Sequence, residues 1–220
     1  MKLLAIDTAT ETCSVALLSE DRLIELASDT QRGHADLVLP MVDAVLAEAG
    51  LTLRQLDGLA YGRGPGAFTG VRIAVGVAQG LAYGAQLATV GVSDLAAVAQ
   101  QFAIAGARIL VCMDARMSEV YWGRFEATAG GLVVPTSAER VDRPEAVEPN
   151  NATVFAGTGF GAYPQLLAGR TAVAVHAAAR PHARDIARLA AVELLAGRGR
   201  PPEQAQPVYL RDQVASVKPP

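Results

Sequence analysis

One pattern occurs twice in this chain, half a chain length apart, and it constrains the fold more than any other feature. Residues 3–27 read as an apolar run Leu3–Ile6 ended by Asp7, a polar turn, a strand Cys13–Leu18, a second turn and a strand Leu23–Ala27. Residues 109–134 repeat it, with Ile109–Met113 ended by Asp114, a polar turn, Val120–Phe125, a glycine turn and Leu132–Val134. Short apolar runs bounded by turn residues are strands of a buried sheet, and tight turns send the chain back antiparallel. The parallel continues. A helix-competent stretch 35–49, a strand Leu59–Tyr61 and a glycine loop 62–70 follow the first unit; a strand Thr153–Ala156 and a glycine loop 157–161 follow the second. A last strand Ala172–Val175, a helix Ala183–Ala196 stopped by Gly197 and a proline-rich extended tail complete the chain. Strands mixed with helices, given twice, predict an α/β architecture of two duplicated lobes, 1–98 and 99–220, each a mixed sheet flanked by helices, facing one another across a cleft.

Composition decides whether such lobes can be filled. Apolar residues make up 51% of 220, but 42 of them are Ala, which leaves about a third of the chain as stronger core formers. That is enough for two small cores and too much for disorder. The net charge of −3 excludes a protein that grips nucleic acid by a general basic surface. Arg180, Arg184 and Arg188 recur at helical spacing, with Arg198 and Arg200 behind them. Without interleaved aromatics, they read as a solvated face pairing with Asp185 and Glu193. Cys13 and Cys112 lie in apolar strands as core thiols, too few for a disulfide framework, which fits a reduced, cytoplasmic setting. Asp7 ends the first apolar run too early for a signal-peptide core, and Arg72, Gln79, Gln86 and several glycines break the stretch Val71–Val92, so no membrane association is expected.

Two segments are oilier than one core requires. In 36–49, Leu37, Val38, Leu39, Met41, Val42, Val45 and Leu46 cover more than one helical stripe, and Pro40 implies a late or irregular start. After the loop Gly62-Arg63-Gly64-Pro65-Gly66-Ala67-Phe68-Thr69-Gly70, Ile73, Val77 and Leu81 form one stripe, Ala74, Ala78 and Ala82 another, and Gly76, Gly80 and Gly84 a third. Glycine costs a helix about 1 kcal/mol per site relative to alanine, so three in register imply close approach of another backbone. Either the two helices cover each other, or they present a face to another protein. The loop itself matches neither phosphate-binding glycine pattern.

The catalytic inventory is short. His34, His176 and His182 make no metal-binding spacing, and no nucleophile elbow occurs, so a peptidase reading has neither zinc nor nucleophile to stand on. Asp7 and Asp114, at the ends of buried strands, suit Mg²⁺ held through water and serve equally well as turn caps. With the loop Gly157-Thr158-Gly159 they are the residues for ATP or ADP with Mg²⁺ in the cleft, the basis of an alternative reading as a small-molecule phosphotransferase.

LLAIDTATETCSVAL at 3–17, YGRGPGAFTGVRIAVGVAQGLA at 61–82, DARMSEVYWGRF at 114–125 and PVYLR at 207–211 resemble the TsaB (YeaZ) family across essentially the whole chain, GPG-x-FTG-x-R being the most specific part. The resemblance implies the ASKHA fold of actin, sugar kinases and Hsp70, in keeping with the duplication. It implies a noncatalytic partner of TsaD, working with TsaE in the threonylcarbamoyl modification of tRNA adenosine, with tRNA reached through the complex. It also assigns Leu37, Val38, Met41, Val45, Ile73, Val77 and Leu81 to a surface used for TsaD or, without it, for a homodimer. TsaD-like chains carry H-x-x-x-H after the corresponding loop; those positions here are Asp94 and Val98, and Val98 cannot ligate a metal.

Overall fold

The computed structural model describes residues 1–20, 22–30, 32–169 and 174–211. Among these, β1 (Lys2–Asp7), β2 (Thr12–Ser19), β3 (Arg22–Asp29), β4 (Gly58–Gly62) and β5 (Thr89–Val92) form a sheet ordered β3-β2-β1-β4-β5. The second sheet holds β6 (Arg108–Asp114), β7 (Val120–Ala127), β8 (Val133–Pro135), β10 (Val154–Ala156) and β11 (Ala174–His176) in the order β11-β10-β6-β7-β8, with β9 (Arg140–Asp142) beside β8 on the free edge of β7. In each sheet the first strand pairs antiparallel with the second and parallel with a later one, β1 with β4 and β6 with β10. The duplicated, mixed-sheet architecture read from the sequence is therefore the observed one. The strand expected at Ala172–Val175 is seen from Ala174; residues 172–173 lie outside the described residues.

β1 reads Leu-Leu-Ala-Ile because both its faces are covered. Leu4 and Ile6, with Val15, Leu17 and Leu59, pack under α1 (His34–Ala49) and α2 (Phe68–Ala85). Leu3 and Ala5, with Ala16 and Ala60, pack under α5 (Ala183–Leu195). The helix α3 (Asp94–Gln100) lies on the second sheet against Ile109, Val111 and Phe125, and also touches α5. The opposite face of that sheet closes over Leu110, Trp122, Phe155 and Phe160, the last within the one-turn α4 (Gly159–Ala162). So α5, from the second half of the sequence, covers the first sheet, and α3, from the end of the first half, covers the second.

Two readings are corrected. Pro40 does not delay α1, which runs unbroken from His34 to Ala49 through it. The proline is exposed, so the Asp36 carbonyl that loses its helical donor faces water. Nor is another backbone of the chain drawn close to the glycines of α2. A methyl group added at Gly76, Gly80 or Gly84 would meet nothing within 4 Å, so the backbone approach these glycines imply is not made within the chain.

Candidate functional site

The glycine loop 62–70 is a fastening. Gly64 has φ +97°, and a Cβ there would stand 2.8 Å from the Val208 carbonyl oxygen, so only glycine lets the tail cross. At Gly66 and Gly70 the same atom would fall 2.5 Å from the Ala9 oxygen and 2.0 Å from the Thr8 oxygen. The gaps these glycines leave are bridged by hydrogen bonds: Ala67 N–H to the Ala9 carbonyl (2.7 Å), Thr8 Oγ1 to the Gly70 carbonyl (2.7 Å) and Val208 N–H to the Arg63 carbonyl (2.7 Å). The loop thus locks the β1–β2 turn, the start of α2 and residues 205–208 together.

Asp7 does not reach the cleft. It is completely buried, with Oδ1 accepting from the Ala9 N–H at 2.9 Å, and it faces Asp94, which is equally buried and accepts from the Gly64 N–H. A methyl group at Gly62 would lie 2.5 Å from Asp94 Oδ1 and 2.7 Å from Asp7 Oδ1, so the pair needs glycine beside it. Burial pushes the Asp94 carboxyl well above its ordinary value of 3.8, and the Asp7 charge pushes the same way; burial raises Asp7 as well. Asp7 Oδ2 and Asp94 Oδ1 have no other partner, and one proton held by Asp94 gives both of them one.

Asp114 does line the cleft, but it is occupied. Its oxygens accept from Arg116 N–H (2.8 Å), Arg116 Nη1 (2.9 Å) and Tyr163 Oη (3.1 Å), while its own N–H donates to Thr158 Oγ1 (3.1 Å). Gly157 and Gly159 are buried against β6, where a Cβ would come within 2.2 and 2.9 Å of the Cys112 carbonyl oxygen. The loop's glycines are accounted for by that contact. No cluster of three metal-ligating side chains occurs among the described residues.

The cleft holds about 850 Å³ between the β1–β2 turn, the first residues of α1 and α2, Asp114–Arg116 and Thr158. Arg116 bridges it to Glu11 at 3.0 Å, and Arg180 reaches the same carboxylate at 3.6 Å. Residues 206–211 cross its rim as a strap: Gln206 N–H donates to Tyr61 Oη, and Arg211 donates to the Ala115 carbonyl and to the Glu119 carboxylate on the other lobe. Of the other C-terminal arginines, Arg184 and Arg188 pair with Asp185 and Arg198 with Glu193, as the sequence implied, although Asp185 is buried and not solvated; Arg184 also reaches Glu25, and Arg200 has no carboxylate within ion-pair distance among the described residues.

The outer face of α1 and α2 is uncovered. Of the residues assigned to it, Val38 and Val45 are fully buried against the sheet. Leu37, Met41, Ile73, Val77 and Leu81 are half-buried and remain reachable from outside. Beside them lie Leu39, Tyr83 at 72% exposure and the three glycines. Facing direction is what the sequence left open, because both helices are apolar on the sheet side and on the side away from it. A further cluster was not read at all: Phe68, Arg72 and Tyr209, where the strap meets α2. Its two halves, 137 residues apart, show no linkage in sequence.

A family model described as TsaD, tRNA N6-adenosine threonylcarbamoyltransferase, matches residues 26–218. The tRNA threonylcarbamoyladenosine biosynthesis protein TsaB of Escherichia coli is 41% identical over 99% of this chain and 98% of its own. Its namesake in Haemophilus influenzae is 39% identical over 99% and 97%. The solved structure of YeaZ from Pseudomonas aeruginosa, 46% identical, superposes with a TM-score of 0.87 over 95% of this chain and 99% of that one.

Proposed function

The chain belongs to the TsaB family, and on that premise we propose that it serves the threonylcarbamoyl modification of tRNA adenosine as the noncatalytic partner of a TsaD-type subunit, which docks on the outer face of α1 and α2. The observation that carries this reading is the glycine stripe of α2: three helix-weakening residues, exposed and in register, alongside the half-buried ridge Ile73, Val77 and Leu81. A second helix laid on that stripe approaches closely and buries the ridge, which repays the helical cost of the glycines. In the absence of the TsaD-type subunit the same face closes on a second copy of the chain. TsaE and tRNA act on the assembled complex. The setting is cytoplasmic, and among the described residues no helix is long and apolar enough to cross a membrane.

The noncatalytic half of the reading rests on what has become of the cleft. Asp7 is sealed against Asp94, Asp114 is held by Arg116, and Val98 is buried in α3 against the second sheet. The phosphotransferase alternative keeps the cleft as its support, but ATP or ADP with Mg²⁺ entering it would meet Thr158 and the Arg116-bound Asp114, and not Asp7.

The test is reconstitution. Titrated with the TsaD-type protein of the same organism, this chain should form a 1:1 complex on size exclusion, and tRNA modification should stop when it is omitted. Ile73→Glu, at the edge of the ridge, should stay folded by circular dichroism and bind about tenfold more weakly, since a carboxylate there is stripped of water on docking. Unchanged affinity would count against the docking face.

A further inference from the structure

Arg72 ends the GPGAFTGVR stretch, and nothing in the reading above uses it. Its guanidinium carbon stands 3.6 Å from the centre of the Phe68 ring and 5.5 Å from that of Tyr209, and its Nε donates to Tyr209 Oη at 2.6 Å. The two rings pack 5.6 Å apart, and both are nearly half exposed. An arginine stacked on one face and hydrogen-bonded through Nε has its two Nη groups set in one plane, the geometry of a carboxylate fork. Yet among the described residues no carboxylate lies within ion-pair distance of it, although Arg63, Arg116, Arg124, Arg180, Arg184, Arg188, Arg198 and Arg211 each have one. The surroundings add no compensation. The first turn of α2 carries no acidic residue, and Ala67 before it makes no side-chain cap. An 18-residue helix therefore presents its positive end next to a cation that has no carboxylate partner among the described residues.

Arg72 also stands in line with Gly76, Gly80 and Gly84 at four-residue steps, so a chain laid along the stripe passes over it. We propose that Arg72 is a preset receptor for an aspartate or glutamate side chain of the subunit that covers α2, oriented for that contact by Phe68 and by Tyr209 of the strap. The proposal rests on the docking face described above and adds to it a charged anchor and a role for the C-terminal segment. A planar cation held in place before binding loses little freedom on docking, which is the character of interface residues that dominate affinity.

Four variants test it by titration calorimetry with the TsaD-type subunit, each first checked for wild-type circular dichroism and melting. Arg72→Gln should weaken binding by about 30-fold, and Arg72→Lys, which keeps the charge without the fork, by about tenfold. Tyr209→Phe, which keeps the ring and removes only the hydroxyl that orients Arg72, should cost about threefold. Raising NaCl from 50 to 500 mM should weaken the wild type, and Arg72→Gln should flatten that dependence. The proposal is overturned if Arg72→Gln binds like the wild type while Val77→Glu does not bind, for then the face docks without the anchor. It is overturned too if Arg72→Gln weakens binding with the salt dependence intact, for then the contact is packing. If Val77→Glu binds normally as well, the docking face itself is lost.

Discussion

Changing Gly76, Gly80 and Gly84 together to alanine will make the isolated protein more stable and destroy its ability to bind a partner. The first half follows from helix physics. Each site has helical backbone and open space around the new methyl group. The gain is therefore the full propensity difference of about 1 kcal/mol per site, roughly 2–3 kcal/mol in sum. In a chain of this size that corresponds to a rise in melting temperature of roughly 4–10 °C. The second half follows from geometry. Three methyl groups along the contact line hold an incoming helix away from the backbone it would otherwise touch, and the ridge of Ile73, Val77 and Leu81 then stays partly wet. A loss of at least about 100-fold in affinity is expected, which is under 3 kcal/mol spread over three sites. Calorimetric melting and a binding titration on one preparation measure both. A triple variant that is more stable and binds normally would show that α2 is not approached along its glycines.

The second large effect is on pH. The folded chain holds a proton on the Asp7–Asp94 pair at pH values where the unfolded chain, with carboxyls near 3.8, has released it. The folded state therefore binds more protons above that value. The stabilisation is complete below about 3.8 and declines as pH rises towards the raised value of the pair, by at most about 1.4 kcal/mol per pH unit for one proton. The Arg63 charge tempers the shift of Asp94 without cancelling it. Asp94→Asn replaces the protonated carboxyl with a group that is neutral throughout. Its oxygen still accepts from Gly64 N–H, and its amide donates to Asp7. The variant should lose the decline and at pH 8 exceed the wild type by about 1–3 kcal/mol. Urea denaturation from pH 4 to 9 decides it, and a wild-type stability that is flat over this range would remove the shared proton.

The sequence was informative where one chain segment carries its own signal. The strand units 3–27 and 109–134 are local patterns, and the duplication they announce is the observed topology. The apolar excess of α1 and α2 was equally local. What that excess faces was not, because Val38 and Leu37 differ by one residue in sequence and by a little over a quarter turn on the helix. Asp7 shows the same limit. A carboxylate at a strand end reads alike whether it opens on a cleft or is closed over by a residue 87 positions later, and only the packing of α3 brings Asp94 onto it. The glycine loop was distinctive in sequence for a reason sequence could not supply. Its glycines answer to the Thr8 and Ala9 carbonyls and to Val208, three contacts distributed across the chain.

The crossing of α3 and α5 between the sheets bears on how this protein can be made and cut. A fragment stopping after α3 would lack α5 and leave Leu3, Ala5, Ala16 and Ala60 bare, while carrying α3 with no second sheet to rest on. The remainder would have the opposite defect. Each piece alone should aggregate, whereas the two produced together should recombine into a native-like particle, visible as recovery of soluble protein at the full mass of the pair. The duplication preserved in the strands is thus one of pattern and no longer one of independence: each half has come to need the other as its lining.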